Sequence, residues 1–179
     1  MTTANKLTLF RVLLIPVFLV LAYTGHMRWA LAVFVIASLT DMLDGYIARH
    51  YNQITDFGKF MDPLADKVLV MAAMCYFVEA GRMSGWALAI VLLREFAVSG
   101  MRLVAVEQGR VIAAAPSGKI KTAATMVCLC LMLLIAPPQI GDSAPDFVAQ
   151  ISTAVILITT VWSGVEYFWK NRDVFRHVD

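Results

Sequence analysis

The chain has 179 residues, of which 60% are hydrophobic and only 16% are charged. A soluble domain has about 45–50% apolar residues, so this composition argues against a soluble protein and for a polytopic membrane protein. The formal net charge of +2 identifies no class of partner, and we expect no nucleic acid among them. The three cysteines lie in apolar runs without CxxC spacing, which indicates packing residues and no disulfide framework.

Six segments are apolar and long enough to cross a bilayer, which needs about 20 mostly apolar residues per helix. The breaks between them are rich in Gly, Pro, Asp and Asn, as expected of turns. The spacing leaves no room for a soluble domain, so the sequence predicts one all-α membrane domain over residues 1–179. The predicted spans are 7–24, 29–49, 60–80, 85–106, 120–138 and 147–169.

The basic residues predict the orientation of these spans. An even number of spans puts both termini on one side of the membrane, and the opposite side holds only Arg28 and Arg82. The positive-inside rule then places both termini, and the connection between spans two and three, in the cytoplasm. The basic residues on that side are Lys6, Arg11, Arg49, Lys59, Arg102, Arg110, Lys119, Lys121, Lys170, Arg172 and Arg176.

Four aspartates lie around the connection between spans two and three. Asp41 and Asp44 are spaced i, i+3 near the end of span two, and Asp62 and Asp66 are spaced i, i+4 near the start of span three. Each spacing puts both carboxylates on one face of a helix. The short connection predicts antiparallel neighbouring helices, so we expect the four carboxylates to converge in one pocket at the cytoplasmic membrane edge.

Carboxylates this close repel one another unless a cation lies between them. Oxygen ligands suit Mg²⁺, Mn²⁺ or Ca²⁺, and no His or Cys is nearby to favour zinc. Four carboxylates are enough for two divalent cations, an arrangement used for phosphoryl chemistry. For any single aspartate the alternative is a helix cap or an ion pair with Lys59 or Lys67, but charged residues at membrane depth usually serve function.

The residues around the aspartates suit a diphosphate. Gly45 and Ala48 are small, so a ligand can approach the backbone, and Arg49 can bind a phosphate through two parallel hydrogen bonds. Gly58 ends the loop before span three. The combination predicts a diphosphate held between cations and backbone.

This segment resembles the signature of the CDP-alcohol phosphotransferases, D-x₂-D-G-x₂-A-R-x₈-G-x₃-D-x₃-D, with no departure at its eight fixed positions. The resemblance implies six spans with cytoplasmic termini, a homodimer, and transfer of a substituted phosphate from a CDP-linked donor to an alcohol with release of CMP. The positions in this chain are Asp41, Asp44, Gly45, Ala48, Arg49, Gly58, Asp62 and Asp66.

The resemblance also implies roles for these residues. Asp41, Asp44, Asp62 and Asp66 would hold two divalent cations, Mg²⁺ or Mn²⁺, and Asp66 would also be the general base for the acceptor hydroxyl. The CDP group would contact Gly45, Ala48, Arg49 and Gly58. A carboxylate can accept the proton of an alcohol when the two oxygens are within hydrogen-bonding reach.

The segments LLREFAVSGMR and SGKIKT carry four more basic residues, Arg94, Arg102, Lys119 and Lys121. They predict a second anion site, which an acceptor that carries a phosphate would need. The alternatives are that Lys119 and Lys121 are ordinary topology signals, and that Arg94 is neutralised by the adjacent Glu95.

Together with NKLTLFRVLLIP at the start, these segments resemble the bacterial family members that use CDP-diacylglycerol as donor and glycerol 3-phosphate as acceptor. The resemblance implies that Asn5, Thr8 and Arg11 line the nucleotide side, and that the four basic residues bind the glycerol phosphate. It implies an inner-membrane protein whose active site faces the cytoplasm, with lipid tails in the bilayer. Serine, inositol phosphate or phosphatidylglycerol is an alternative acceptor, and a cation transporter is a different class of function.

Overall fold

The computed structural model describes the backbone of residues 3–50, 56–110, 112–113, 115–135 and 147–173, and within it the side chains of 9–40, 65, 67–110, 112–113, 115–135 and 147–173. This part of the chain forms helices and contains no strand, which confirms the all-α prediction. The six helices are α1 (Thr3–Tyr23), α2 (Met27–His50), α3 (Asp56–Glu79), α4 (Gly85–Glu107), α5 (Pro116–Ile135) and α6 (Phe147–Lys170).

Four helices begin two to four residues earlier than the predicted spans: α1, α2, α3 and α5. The predicted start of α5 at residue 120 was wrong, because the helix begins at Pro116; proline suits the first helical position, where its missing N–H is not needed and its φ is already helical. Likewise α3 begins at Asp56, so Gly58 lies in its first turn and not at the end of the preceding loop.

The outer surface of the bundle is apolar. Within the described residues, α5 and α6 are each long and apolar enough to cross a membrane, and shorter apolar stretches cover Leu9–Tyr23 and Met27–Thr40. Many large apolar side chains on this surface are exposed. A surface that faces lipid is expected to carry them, whereas a surface that faces water rarely carries so many. Those with the greatest exposure are Trp29, Leu93, Phe96, Leu103, Phe147, Ile158 and Trp169.

The helices enclose one main core and one smaller cluster. In the main core α1 packs on α2 and α3, and α5 packs on α6 and α2; Phe18, Phe77 and Leu129 are among its fully buried side chains. The smaller cluster joins α4 to α6 through residues that include Met101 and Tyr167. Helix α4 therefore connects to the rest of the bundle largely through α6.

Short turns at one end of the bundle determine where the aspartate segment lies. The turns after α1 and α3 contain Gly25 and Gly81 with φ of +79° and +70°, a conformation that glycine adopts without strain. The hydroxyl of Tyr23 donates a hydrogen bond to the carboxylate of Glu79, which joins the ends of α1 and α3. The end of α2 and the start of α3 therefore lie at the opposite end of the bundle.

Candidate active site

The backbone places the four motif aspartates on two helices that pack against each other. Asp41 and Asp44 lie in the last three turns of α2, and Asp62 and Asp66 lie in the first half of α3. The spacings of three and four residues fall within continuous helix, so each pair shares a helix face. Their side chains lie outside the described residues, so convergence on a cation stays a prediction. Among the described side chains, no group of three or more His, Cys, Asp or Glu residues is placed to hold a metal ion.

The predicted nucleotide-binding residues lie on the same helices and on α1. Asn5 and Thr8 belong to the first turns of α1, and the motif positions Gly45, Ala48, Arg49 and Gly58 belong to α2 and α3; the side chains of these six residues lie outside the described set. Arg11, one turn further along α1, is described and is completely buried. Because α1 packs against both α2 and α3, Arg11 brings a positive charge into the interior beside the two aspartate-bearing helices.

A cavity of about 40 Å³ lies between α3, α4 and α5. This volume is enough for about three or four water molecules, since one water needs about 10–15 Å³. Lys67 lines the cavity from α3 and directly follows Asp66 in the chain, so the cavity borders the aspartate segment. The lining residues are Lys67, Val70, Met71, Val91, Glu95, Lys121, Thr122 and Thr125. We call this cavity the basic pocket.

One carboxylate in the basic pocket accepts hydrogen bonds from two cations. Oε1 of Glu95 lies 2.8 Å from Nη1 of Arg94 and 2.7 Å from Nζ of Lys121. Lys121 is 5% exposed, and its ammonium reaches Glu95 from the neighbouring helix α5. The ammonium of Lys67 donates to the hydroxyl of Ser99 on α4.

The basic pocket has an excess of positive charge. Among the described side chains in and beside it, Lys67, Arg94 and Lys121 supply three positive charges, and Glu95 supplies one negative charge. Within these described side chains the positive charges therefore exceed the negative charge by two. Such an excess in a partly enclosed site attracts anions, and phosphate oxygens accept hydrogen bonds readily from both ammonium and guanidinium groups. The arrangement can therefore bind a phosphate group beside the start of α3.

Arg94 is packed tightly against two glycines on neighbouring helices. A β-carbon at Gly118 of α5 would lie 3.7 Å from Nη2 of Arg94, which is an ordinary contact. A β-carbon at Gly164 of α6 would lie only 3.2 Å from Cγ of Arg94, which is tighter than most such contacts. The guanidinium is thus fixed where α4, α5 and α6 meet, and Gly164 provides the space for its aliphatic stem.

The other two predicted acceptor-site residues lie elsewhere on the same helices. Nε of Arg102 donates to the hydroxyl of Tyr167 over 3.1 Å, and its guanidinium carbon lies 5.5 Å from the centre of that ring. Lys119 is exposed on α5. Of the four predicted residues, the described structure brings Arg94 and Lys121 together and leaves Arg102 and Lys119 outside the lining of the basic pocket.

Sequence reasoning named Lys67 and Glu95 but assigned neither of them to a binding site. Lys67 was weighed only as an ion-pair partner for the aspartates, although its position directly after Asp66 was a usable signal. Glu95 was recognised as a partner of Arg94, which the structure confirms. Its second partner, Lys121, is 26 residues away in the sequence, and only the folded bundle shows that the two side chains meet.

Comparison with known proteins connects this site to a family. The sequence profile of the CDP-alcohol phosphatidyltransferase family matches residues 1–162. The chain is 40% identical to the CDP-diacylglycerol–glycerol-3-phosphate 3-phosphatidyltransferase of Bacillus subtilis, over 96% of each chain. It is 38% identical to the protein of the same name from Sodalis glossinidius, again over 96% of each chain.

A third relative is named after the product of the reaction. It is a probable phosphatidylglycerophosphate synthase of Mycobacterium tuberculosis, 36% identical over 92% of this chain and 78% of its own length. Residues 1–162, which the family profile matches, include all six helices except the end of α6 and contain the complete aspartate motif. The chain therefore belongs to the CDP-alcohol phosphatidyltransferase family and is a transferase.

Proposed function

We propose that the chain transfers the phosphatidyl group of CDP-diacylglycerol to sn-glycerol 3-phosphate, giving phosphatidylglycerophosphate and CMP. Relatives with 34–40% identity over nearly the whole chain carry the name of this activity. The observation that carries the choice of acceptor is the basic pocket, whose described side chains carry an excess of positive charge beside the start of α3. An acceptor that brings its own phosphate has a binding site there.

The donor half of the site would be built on α1, α2 and α3. Asn5, Thr8 and Arg11 would line the nucleotide side, and Gly45, Ala48, Arg49 and Gly58 would contact the CDP group. The position of Arg11 supports this assignment, because Arg11 is buried on α1, and α1 packs against both α2 and α3.

The carboxylate set fits divalent cations in both number and chemistry. Two pairs of aspartates, each pair on one face of its helix, lie on helices that pack against each other, and hard cations prefer oxygen ligands. Asp41, Asp44, Asp62 and Asp66 would hold two such ions, Mg²⁺ or Mn²⁺. When bound, the ions would neutralise the donor diphosphate and make CMP a better leaving group.

The transfer itself would need one proton acceptor from the chain. Asp66 would take the proton of the acceptor hydroxyl, and the freed oxygen would attack the β-phosphorus of the donor. A bond from the acceptor oxygen to that phosphorus would form, and the bond from the phosphorus to the oxygen of CMP would break. The β-phosphoryl group would thus pass directly to the acceptor, without a covalent enzyme intermediate.

The acceptor phosphate would lie in the basic pocket, in contact with Lys121 and Lys67, with Arg94 held behind them through Glu95. Lys121 and Lys67 are the described cations that line the pocket directly, and Arg94 lies beside it, paired with Glu95. Arg102 and Lys119 remain candidate contacts on the same two helices for the rest of the acceptor.

The membrane arrangement that suits this reaction has six spans and both termini in the cytoplasm. The exposed apolar side chains on α4 and α6 support burial of these helices in lipid. The diacylglycerol tails would stay in the bilayer while the head groups react at the cytoplasmic face of the bacterial inner membrane. We also expect one domain over residues 1–179 and a homodimer.

One assay tests the proposed function. Purified protein is given CDP-diacylglycerol with glycerol 3-phosphate, serine, inositol phosphate or phosphatidylglycerol, with and without EDTA, and CMP release is measured. We expect release with glycerol 3-phosphate, loss of release in EDTA, and recovery on adding Mg²⁺ or Mn²⁺. Release with another acceptor, but not with glycerol 3-phosphate, would show that the chain catalyses a related transfer to that acceptor. Cation transport without CMP release would overturn the enzymatic assignment.

A further inference from the structure

The carboxylate of Glu95 has an unusual position for a residue in an anion-binding site. It lies on the wall of the basic pocket and is therefore expected to repel a phosphate. Both cations that it pairs with bind the same oxygen, Oε1, at 2.7 and 2.8 Å. A carboxylate that weakens anion binding by its charge but is built into the pocket needs a compensating role.

Lys121 has hydrogen-bonding capacity left after it binds Glu95. An ammonium group has three N–H donors, and among the described side chains its one partner is Glu95. The side chain is almost fully buried, at 5% exposure, so its direction is set by its surroundings. Its remaining donors are available to a ligand inside the pocket.

Arg94 keeps Glu95 in place. Its Nη1 binds Oε1 of Glu95, its Nη2 lies against Gly118 of α5, and its stem lies against Gly164 of α6. The connection therefore runs from the backbone of α6, through the stem of Arg94 and the carboxylate of Glu95, to the ammonium of Lys121. Three helices together fix one pocket donor.

We propose that Glu95 is a positioning residue for the acceptor phosphate, a role that rests on the proposed function. Before the acceptor arrives, Glu95 holds the ammonium of Lys121 at the pocket wall, and Arg94 and Gly164 hold Glu95. When the phosphate binds, Lys121 uses its remaining donors for the phosphate oxygens. A donor that is already ordered loses less conformational entropy on binding, which lowers the KM for the acceptor.

A simple charge-balancing role for Glu95 makes the opposite prediction. If the carboxylate served only to offset the burial of Arg94 and Lys121, removing its charge would leave the pocket more positive. The phosphate would then bind more tightly, and the KM for glycerol 3-phosphate would fall or stay the same. The direction of the change in KM separates the two roles.

The first test is Glu95→Gln, which keeps the shape and one accepting oxygen but removes the charge. Hydrogen bonds to a charged acceptor are stronger than those to a neutral one, so we expect the KM for glycerol 3-phosphate to rise about fivefold to tenfold. The kcat and the KM for CDP-diacylglycerol should change less than about twofold, since the donor site lies on α1, α2 and α3. Steady-state CMP release at varied concentrations of each substrate measures all three.

The second test displaces Arg94 without changing any charge. Gly164→Ala puts a methyl group 3.2 Å from Cγ of Arg94, so the stem must shift by a few tenths of an ångström. We expect the KM for glycerol 3-phosphate to rise about threefold, since small displacements of positioning groups have large kinetic effects. Gly100→Ala on α4 is the matched control, because a β-carbon there meets nothing within 4 Å; its kinetic constants should equal those of the unmodified protein.

The outcomes separate failure of this inference from failure of the proposed function. If the unmodified protein releases no CMP with glycerol 3-phosphate, the proposed function fails first. If it does release CMP, an unchanged or lowered acceptor KM in Glu95→Gln overturns the positioning role. Should Glu95→Gln fail to fold, as judged by its thermal unfolding, Gly164→Ala decides alone: an acceptor KM equal to that of Gly100→Ala overturns the proposal.

Discussion

Lys119 and Lys121 lie two residues apart at the start of α5 and occupy different environments: Lys121 is 5% exposed and bonded to Glu95, whereas Lys119 is exposed. Two residues correspond to about 200° around a helix, so the side chains point to nearly opposite faces. The sequence offered both as contacts for the acceptor phosphate, and the basic pocket favours Lys121.

Replacing Lys121 by alanine should therefore raise the KM for glycerol 3-phosphate strongly. Loss of a charged hydrogen bond corresponds to an increase of about tenfold to a hundredfold, and the KM for CDP-diacylglycerol should change much less. Lys119→Ala should have a smaller effect on the acceptor KM than Lys121→Ala. Equal effects of Lys121→Ala on the KM of both substrates would contradict the acceptor assignment. Initial rates of CMP release provide the measurement.

Asp44→Ala should abolish CMP release. Removing one carboxylate from the predicted cation site removes a stabilisation of several kcal/mol from the transition state, so we expect the rate to fall by about a thousandfold or more. Asp56→Ala is a suitable control, because Asp56 begins α3 and occupies a variable position of the motif, not one of its eight fixed positions. Retained activity in Asp44→Ala, at saturating Mg²⁺, would refute the ligand role of Asp44.

Asp66→Asn should affect turnover more than donor binding. The amide cannot take the proton of the acceptor hydroxyl, and general-base catalysis contributes about a hundredfold to ten-thousandfold. We expect kcat to fall within that range while binding of CDP-diacylglycerol, measured directly with the purified variant, weakens less. A variant that loses donor binding and keeps its kcat would assign Asp66 to binding alone.

The apolar core predicts a contrast between two leucines of α5. Leu129 is completely buried in the main core, whereas Leu134 is 62% exposed. Leu129→Ala should lower the free energy of unfolding by about 2–5 kcal/mol, since it leaves a cavity. Leu134→Ala should change it by about 0.5 kcal/mol or less, because the side chain faces the surrounding solvent or detergent in either state. Chemical unfolding of both variants in the same detergent checks this contrast.

The helical architecture could be predicted from sequence because length and apolar content are local properties. All six predicted segments correspond to helices, and α4 begins at Gly85 as expected. The start of α5 was misplaced because Pro116, Ser117 and Gly118 look like turn residues, although a proline fits the first position of a helix.

The side-chain pairings could not be predicted in the same way. In a membrane helix both the lipid-facing side and the core-facing side are apolar, so periodicity does not say how each helix is rotated. The contacts of Glu95 with Lys121 and of Arg102 with Tyr167 depend on that rotation. The aspartate motif was the exception, because its spacing within single helices already assigns each pair to one face.

Gly164 has a consequence for how this chain can vary. A β-carbon there would already lie 3.2 Å from Cγ of Arg94, so side chains larger than that of alanine are expected at position 164 only where residue 94 becomes shorter or changes its path. Across related sequences the two positions should therefore change together, a glycine accompanying an arginine and a larger residue accompanying its loss. The residue that α6 can accept at position 164 therefore depends on the residue that α4 carries at position 94.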